Sequence, residues 1–339
     1  MIAPHRPQPR ARPTVAALAA GVLAGDRALL GQAITRVEST LQVHEAEAQA
    51  LLQQLLPFTG RAVRVGITGV PGAGKSTLLE HLGRRLVAQG LRVAVLAVDP
   101  SSGRSGGSIL GDKTRMQQLA ADPRAFVRPS PAGGTLGGVH RRSRETLLLC
   151  EAAGYDVIFV ETVGVGQSET EVSRMVDTFV VLTLAGGGDE LQGIKRGVLE
   201  LAEVLCVNKA DGDNAPRAER ARREHEAALH YMRPTSPGWT TPVLTASALG
   251  DLGIEALWGA IEAHRAHLIA TGELARRRQR QLRGWLWSLV EEDLLRALHH
   301  HPGVASAAPG VEASVLSGGQ TAVQGARALL AAFAQGAPP

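Results

Sequence analysis

Eight consecutive residues, Gly69-Val70-Pro71-Gly72-Ala73-Gly74-Lys75-Ser76, carry the most specific chemistry in this chain. They fit G-x-x-x-x-G-K-[ST], preceded by a β-branched run at 63–68 and followed by a helix-like segment that begins with Thr77. Glycines let backbone N–H groups converge on phosphate, and the following helix adds its positive end. Lys75 is placed to reach β and γ phosphates, and Ser76 offers a hydroxyl to Mg²⁺.

Further along, Asn208-Lys209-Ala210-Asp211 closes another apolar run. This N-K-x-D pattern reads guanine. A carboxylate at Asp211 can accept from both the ring N1–H and the exocyclic amine, whereas adenine would leave it unpaired. Ser247-Ala248-Leu249 resembles the loop whose backbone amides hold the guanine carbonyl. Asp99 and Glu161 end two other apolar runs, where a carboxylate points into the ligand crevice of a parallel sheet and can serve Mg²⁺ directly or through water. Asp112, in Gly111-Asp112-Lys113, is a third candidate for the metal; its alternative role is to cap the helix that follows.

These residues need a scaffold that brings strand ends together. Candidate strands at 63–68, 92–99, 155–161, 178–184, 204–208 and 243–246 alternate with helical segments. That pattern predicts a mostly parallel sheet with helices on both faces. Ala/Leu-rich helices at 14–25, 26–39 and 41–55 come first, and Pro57 and Gly60 end them. After Gly253 the pattern is helical through Arg276-Arg277-Arg278 to about His301, followed by a Gly/Pro/Ser-rich break and a last helix at 321–335. The expected domains are a helical extension at 1–60, a nucleotide domain at 61–270 and a helical arm at 271–339.

Composition bounds the rest. The chain has 339 residues, 44% apolar and 20% charged, enough to bury a large core. No apolar stretch reaches the ~20 residues of a membrane span, and the basic start lacks a secretory pattern, so a cytoplasmic protein is expected, with a transit peptide as the alternative reading of that start. A net charge of +4, with scattered arginines and no interleaved aromatics, argues against nucleic acid. Cys150 and Cys206 read as buried hydrophobes. Only four of 36 basic residues are lysines: Lys75, Lys113, Lys195 and Lys209. In so arginine-rich a chain, lysine marks positions that need a compact ammonium, with chance survival as the alternative for Lys113 and Lys195. Arg276-Arg277-Arg278-Gln279-Arg280 reads as a solvated helix face, His299-His300-His301 as a basic helix end rather than a metal site, and Trp258, Trp285 and Trp287 as packing residues.

The motifs together resemble the methylmalonyl-CoA mutase-associated GTPases, the MeaB or ArgK family of SIMIBI-class P-loop G proteins. The likeness extends through Asp99-Pro100-Ser101-Ser102, residues 106–116, Glu161-Thr162-Val163-Gly164-Val165-Gly166-Gln167, Gly188-Asp189-Glu190-Leu191-Gln192-Gly193-Ile194-Lys195 and the guanine motif. It implies a P-loop NTPase fold that binds GTP and GDP with Mg²⁺. It also implies a homodimer formed through a C-terminal helical arm, and a chaperone role for a cobalamin-dependent acyl-CoA mutase, gating cofactor loading and guarding the enzyme. The segment from Asp189 to Lys195 would be a switch facing that mutase. Small signalling GTPases carry a water-orienting glutamine after the D-x-x-G glycine; here Val165 follows Gly164, and the nearest glutamine is Gln167. Intrinsic hydrolysis should therefore be slow, and Asp189, Gln192 and Lys195 become catalytic candidates beside Lys75. The rival functions are a nickel-insertion GTPase, for which no Cys/His cluster is evident, and a kinase with a small-molecule or protein acceptor.

Overall fold

The computed structural model describes residues 12–39, 41–98, 116–129, 136–162, 168–185, 196–232 and 234–335. The chain divides after Arg278 into two compact units.

The first unit is organised by seven parallel strands, in the order β3-β2-β4-β1-β5-β6-β7. They are β1 (Val63–Gly69), β2 (Val93–Val98), β3 (Ala125–Arg128), β4 (Val157–Thr162), β5 (Thr178–Leu184), β6 (Val204–Asn208) and β7 (Val243–Thr245). β1 sits at the centre, pairing Val65 with Phe159 of β4 and with Thr178 of β5. The strands are apolar on both sides because both faces are covered, as a parallel sheet requires. One face packs Ala94, Leu96, Ile158, Val160, Phe179 and Val181 against α1 (Val15–Leu23), α2 (Arg27–Val37), α3 (Gln42–Leu55) and α6 (Leu136–Ala152). The other packs Val65, Ile67, Val95, Phe159, Val180 and Leu182 against α4 (Lys75–Ala88) and α10 (Ile254–Ala270), with Trp258 in that core. Shorter helices α5 (Gln117–Ala121), α7 (Ser168–Ser173) and α8 (Arg196–Leu199), and the longer α9 (Ala215–His230), also belong to this unit.

Each expected strand is present within a residue or two, as are the first three helices, two of which begin at the side-chain caps Thr14 and Asp26. β3 was not expected. Its four residues lie on the sheet edge just after the turn Asp122-Pro123-Arg124, too short for a periodic signal.

Arg277 and Arg278 overturn the reading of 276–280 as a solvated face. They lie near the start of α11 (Glu273–His300), and both reach the entry edge of the sheet. Arg277, 8% exposed, donates to Glu203 Oε1 at 2.8 Å, to Ser236 Oγ at 2.7 Å and to the Asp177 carbonyl. Arg278 grips the buried Asp177 carboxylate at 2.8 and 2.6 Å and donates to the carbonyls of Ala62, at 2.8 Å, and Gly60. Two buried acids at strand starts need such partners, and planar guanidinium forks supply several donors at once.

In the second unit, the expected break after His301 is instead a helix, α12 (Pro302–Leu316), packed against α13 (Ala322–Gln335). Pro302 occupies the first turn, where its missing N–H costs nothing. Pro309 removes one internal hydrogen bond, but packing against α13 holds the helix despite that loss. Thr321 and Gln324 start α13 with a reciprocal cap, Thr321 N–H to Gln324 Oε1 at 2.9 Å and Gln324 N–H to Thr321 Oγ1 at 3.2 Å.

Candidate functional site

All the described motif residues gather at the carboxyl edge of the sheet. β1 ends at Gly69, where φ is 155° and a Cβ would lie 2.3 Å from the Leu182 carbonyl oxygen, so only glycine fits. The chain then loops through Val70, Pro71, Gly72 and Ala73 to Gly74, which enters α4 at φ 86°. No side chain caps α4 and no acid occupies its first turn, which leaves its leading N–H groups for an anion. Lys75, 8% exposed, folds over the loop and donates to the carbonyls of Gly69 at 2.7 Å and Val70 at 3.2 Å. Thr77, one turn in, is exposed.

Ser76 and Glu161 meet beneath this loop. The Ser76 hydroxyl donates to Glu161 Oε1 at 2.7 Å, and both residues are buried. An alcohol and a carboxylate side by side are hard oxygen donors of the kind Mg²⁺ takes. Beside them, Thr162 donates to Thr68 at 2.7 Å, a buried hydroxyl pair across adjacent strand ends. Sequence reading missed that pair; threonines closing two strands at the same edge were the available signal.

The guanine-type motif is physically tied to the phosphate loop. Asn208, 2% exposed at the end of β6, donates from Nδ2 to the Ala73 carbonyl at 2.7 Å. Its Oδ1 is buried and has no hydrogen-bond partner among the described residues. Lys209 adopts φ 58°, is exposed, and has its carbonyl held by Asn214 Nδ2 at 2.7 Å. The Ala210 N–H donates to the Ala246 carbonyl at 3.0 Å, joining this loop to the one after β7. There Ser247, 1% exposed, donates to Asp211 Oδ1 at 2.5 Å and receives the Gly250 N–H at 3.1 Å. Ala248 is buried while Leu249 is 82% exposed. The Asp211 carboxylate is thus oriented by a buried hydroxyl and remains partly open to solvent.

Asp99, Asp112, Asp189, Gln192 and Lys195 lie outside the described residues, as do Lys113, Gly164, Val165 and Gln167. Among the described residues no cluster of three or more His, Cys, Asp or Glu forms a metal site, and His300 Nδ1 is engaged with the Arg296 carbonyl at 2.8 Å. Cys150 and Cys206 are free and fully buried. Burial pushes both thiols up, Cys206 to about 12, so neither is a nucleophile. No described helix is long and apolar enough to cross a membrane.

Known proteins resemble this chain along most of its length. The family model described as "Methylmalonyl Co-A mutase-associated GTPase MeaB" matches residues 30–302. "GTPase ArgK" of Escherichia coli is 54% identical over 274 residues, 81% of this chain and 83% of that protein. The "Methylmalonic aciduria type A homolog, mitochondrial" of Mus musculus is 46% identical over 323 residues, 92% of this chain and 78% of its own. A crystal structure described as a LAO/AO transport system kinase superposes with a TM-score of 0.77 at 42% identity, covering 95% of this chain and 97% of that one. The match of the family model to residues 30–302, in a chain whose phosphate loop is tied by Asn208 to its N-K-x-D segment on a seven-stranded parallel sheet, places the protein in the methylmalonyl Co-A mutase-associated GTPase (MeaB) family.

Proposed function

We propose that this GTPase serves as a chaperone of a cobalamin-dependent acyl-CoA mutase of the methylmalonyl-CoA type, gating cofactor loading and protecting or reactivating the enzyme. The family match over residues 30–302 carries the reading, because the family is described by its association with that mutase and the mouse relative is named for methylmalonic aciduria. In this reading GTP or GDP lies with its phosphates over residues Gly69 to Thr77 and its base between Asn208, Lys209, Asp211 and the loop Ser247-Ala248-Leu249. The Asn208–Ala73 bond supports a single continuous site for both ends of the nucleotide.

Mg²⁺ would be held by Ser76 and Glu161, with Asp99 and Asp112 as further carboxylates, and would supply charge neutralisation at the β and γ phosphates. Lys75 is assigned to the same charge. Asp189, Gln192 and Lys195 are assigned to the switch that completes the site when the mutase binds, since no glutamine follows Gly164 to orient water. Residues 1–60 are assigned as a helical extension, 61–270 as the nucleotide domain and 271–339 as a dimer arm. Support for the arm comes from a stripe on α11 at four-residue spacing, Leu282, Leu286, Val290 and Leu294, each 36% or more exposed, a pattern suited to packing against another helix. The protein is expected to act in the cytoplasm.

Mutase captured from the native host with this protein, then added to it in a GTP hydrolysis assay, tests the proposal. GDP and free phosphate should accumulate faster with the mutase present. Phosphate transferred to an acceptor would favour a kinase, and a rate indifferent to the mutase would reject the chaperone role.

A further inference from the structure

A cavity of about 550 Å³ opens at the entry edge of the sheet, the edge opposite Gly69 and Asn208. It lies between the end of α1, the turn Leu56–Phe58, the start of β1 and the entry to β4, with α10 contributing one side chain. β1 separates it from the phosphate loop by seven residues, roughly 20 Å of extended chain.

Two arginines line this cavity, Arg61 just before β1 and Arg265 on α10. Neither forms a hydrogen bond or an ion pair with any described residue. The Arg265 Nε is moreover buried without an acceptor. The acids on the same walls are already engaged. Glu151 takes Arg64 through both oxygens, at 2.9 and 2.8 Å, and the Gly60 N–H at 2.8 Å. Asp156 takes the backbone N–H of Arg92 at 2.8 Å. Leu23 and Phe58, 41% and 48% exposed, add an apolar wall.

A buried guanidinium N–H without an acceptor is unfavourable, and so is holding two unpaired guanidinium charges on the walls of one cavity. An anion removes both costs, and guanidinium groups match phosphate and carboxylate geometry. The volume lies within the range of small-molecule sites, which combine apolar walls with a few polar groups. We propose that this cavity is a second ligand site, separate from the nucleotide pocket, for a small organic anion whose phosphate or carboxylate pairs with Arg61 and Arg265 and whose apolar body lies against Leu23 and Phe58.

The test uses the full chain saturated with GDP and Mg²⁺, so that added phosphates cannot enter the phosphate loop. Thermal melting and titration calorimetry are run with hexyl phosphate, hexanoate, inorganic phosphate and hexanol. At least one of the two amphipathic anions should bind saturably, tenfold or more tighter than inorganic phosphate or hexanol, and the preferred head group distinguishes the two chemistries. Arg61→Gln combined with Arg265→Gln should weaken that binding tenfold or more while GDP still stabilises the protein as before. If the double variant no longer responds to GDP, Arg61→Gln alone decides, since Arg61 is exposed: a several-fold loss supports the site and an unchanged affinity rejects it. Absence of saturable binding by either anion, equal binding of hexanol, or full binding by the double variant would overturn the proposal.

Discussion

Asn208 and Ala73, 135 residues apart, are joined by a hydrogen bond of 2.7 Å from the Asn208 amide to the Ala73 carbonyl, which locks the base-reading loop to the phosphate loop. Gly74 is part of the same joint, because a Cβ there would lie 2.7 Å from Asn208 Nδ2. The phosphate loop and the N-K-x-D segment are therefore joined directly, side chain to backbone.

Asn208→Ala removes that bond and leaves the Ala73 carbonyl buried without a donor, a loss of about 1–3 kcal/mol. GDP affinity should fall roughly tenfold to a hundredfold on that basis. Calorimetric titration checks it, and an unchanged affinity would show that the two loops are positioned independently.

In the proposed function selectivity for guanine rests on Asp211, which Ser247 orients at 2.5 Å. Asp211→Asn offers a donor where guanine presents donors and should lower GDP affinity by about 10- to 100-fold, narrowing the gap to ADP. Ser247→Ala should act in the same direction more weakly, by releasing the carboxylate. Equal affinity of the unmodified protein for GDP and ADP would defeat the assignment.

Lys75 and Ser76 are neighbours with different chemistry. Lys75→Ala removes an ammonium that has folded onto the Gly69 and Val70 carbonyls, whereas Ser76→Ala removes the hydroxyl beside Glu161. Hydrolysis by the Ser76 variant should recover partly as magnesium is raised, and hydrolysis by the Lys75 variant should not. The same magnesium response in both would mean that the hydroxyl is not a metal ligand.

The legibility of this protein divides along a physical line. That Gly69, Lys75, Asn208 and Asp211 would gather at the carboxyl edge was readable because their motifs have fixed residue types and spacing and each follows an apolar strand run. Strands β5 and β6 were readable to the residue because continuous apolar runs are bounded by polar turns. The entry edge was not. Arg277 and Arg278 look like any solvated helical arginines until the fold brings Asp177, 100 and 101 residues away, and Glu203 to meet them. Long-range pairing of buried charge leaves no local pattern, and neither does the packing that keeps Pro309 inside a helix.

That arginine cluster makes a stability prediction. Asp177 is fully buried, and Arg278 is its bidentate partner. Arg278→Ala leaves the carboxylate the Arg64 backbone N–H, at 3.1 Å, but removes its bidentate charged partner, and should cost about 3–5 kcal/mol, read as a lower denaturant midpoint. Arg278→Lys should restore only part of it, because one ammonium cannot serve both oxygens and the carbonyls of Gly60 and Ala62. A variant as stable as the parent would show that the pair contributes nothing net.

His264 sets the acid limit of the same region. Its ring lies between Thr178 Oγ1, 2.8 Å from Nδ1, and Ser236 Oγ, 2.9 Å from Nε2, with Arg277 on Ser236 and Trp239 4.9 Å from the ring. A neutral imidazole, one nitrogen donating and the other accepting, satisfies both contacts. Burial, then the charges of Arg277 and His267, lower its pKa to about 3, with Asp177 opposing. The unfolded chain therefore binds a proton near pH 6.5 that the folded chain refuses, so the contribution is complete above pH 6.5 and is lost as pH falls toward 3. The loss should be about 2 kcal/mol by pH 5 and about 3 by pH 4. Glu203 acts in the opposite sense, because burial raises its carboxyl, so the comparison that isolates His264 is the parent against His264→Gln across pH 4–7. The variant should be less stable at pH 7 and show a flatter acid slope. Parallel curves from the two proteins would mean that His264 is protonated in the folded state and that its burial does not set the acid limit.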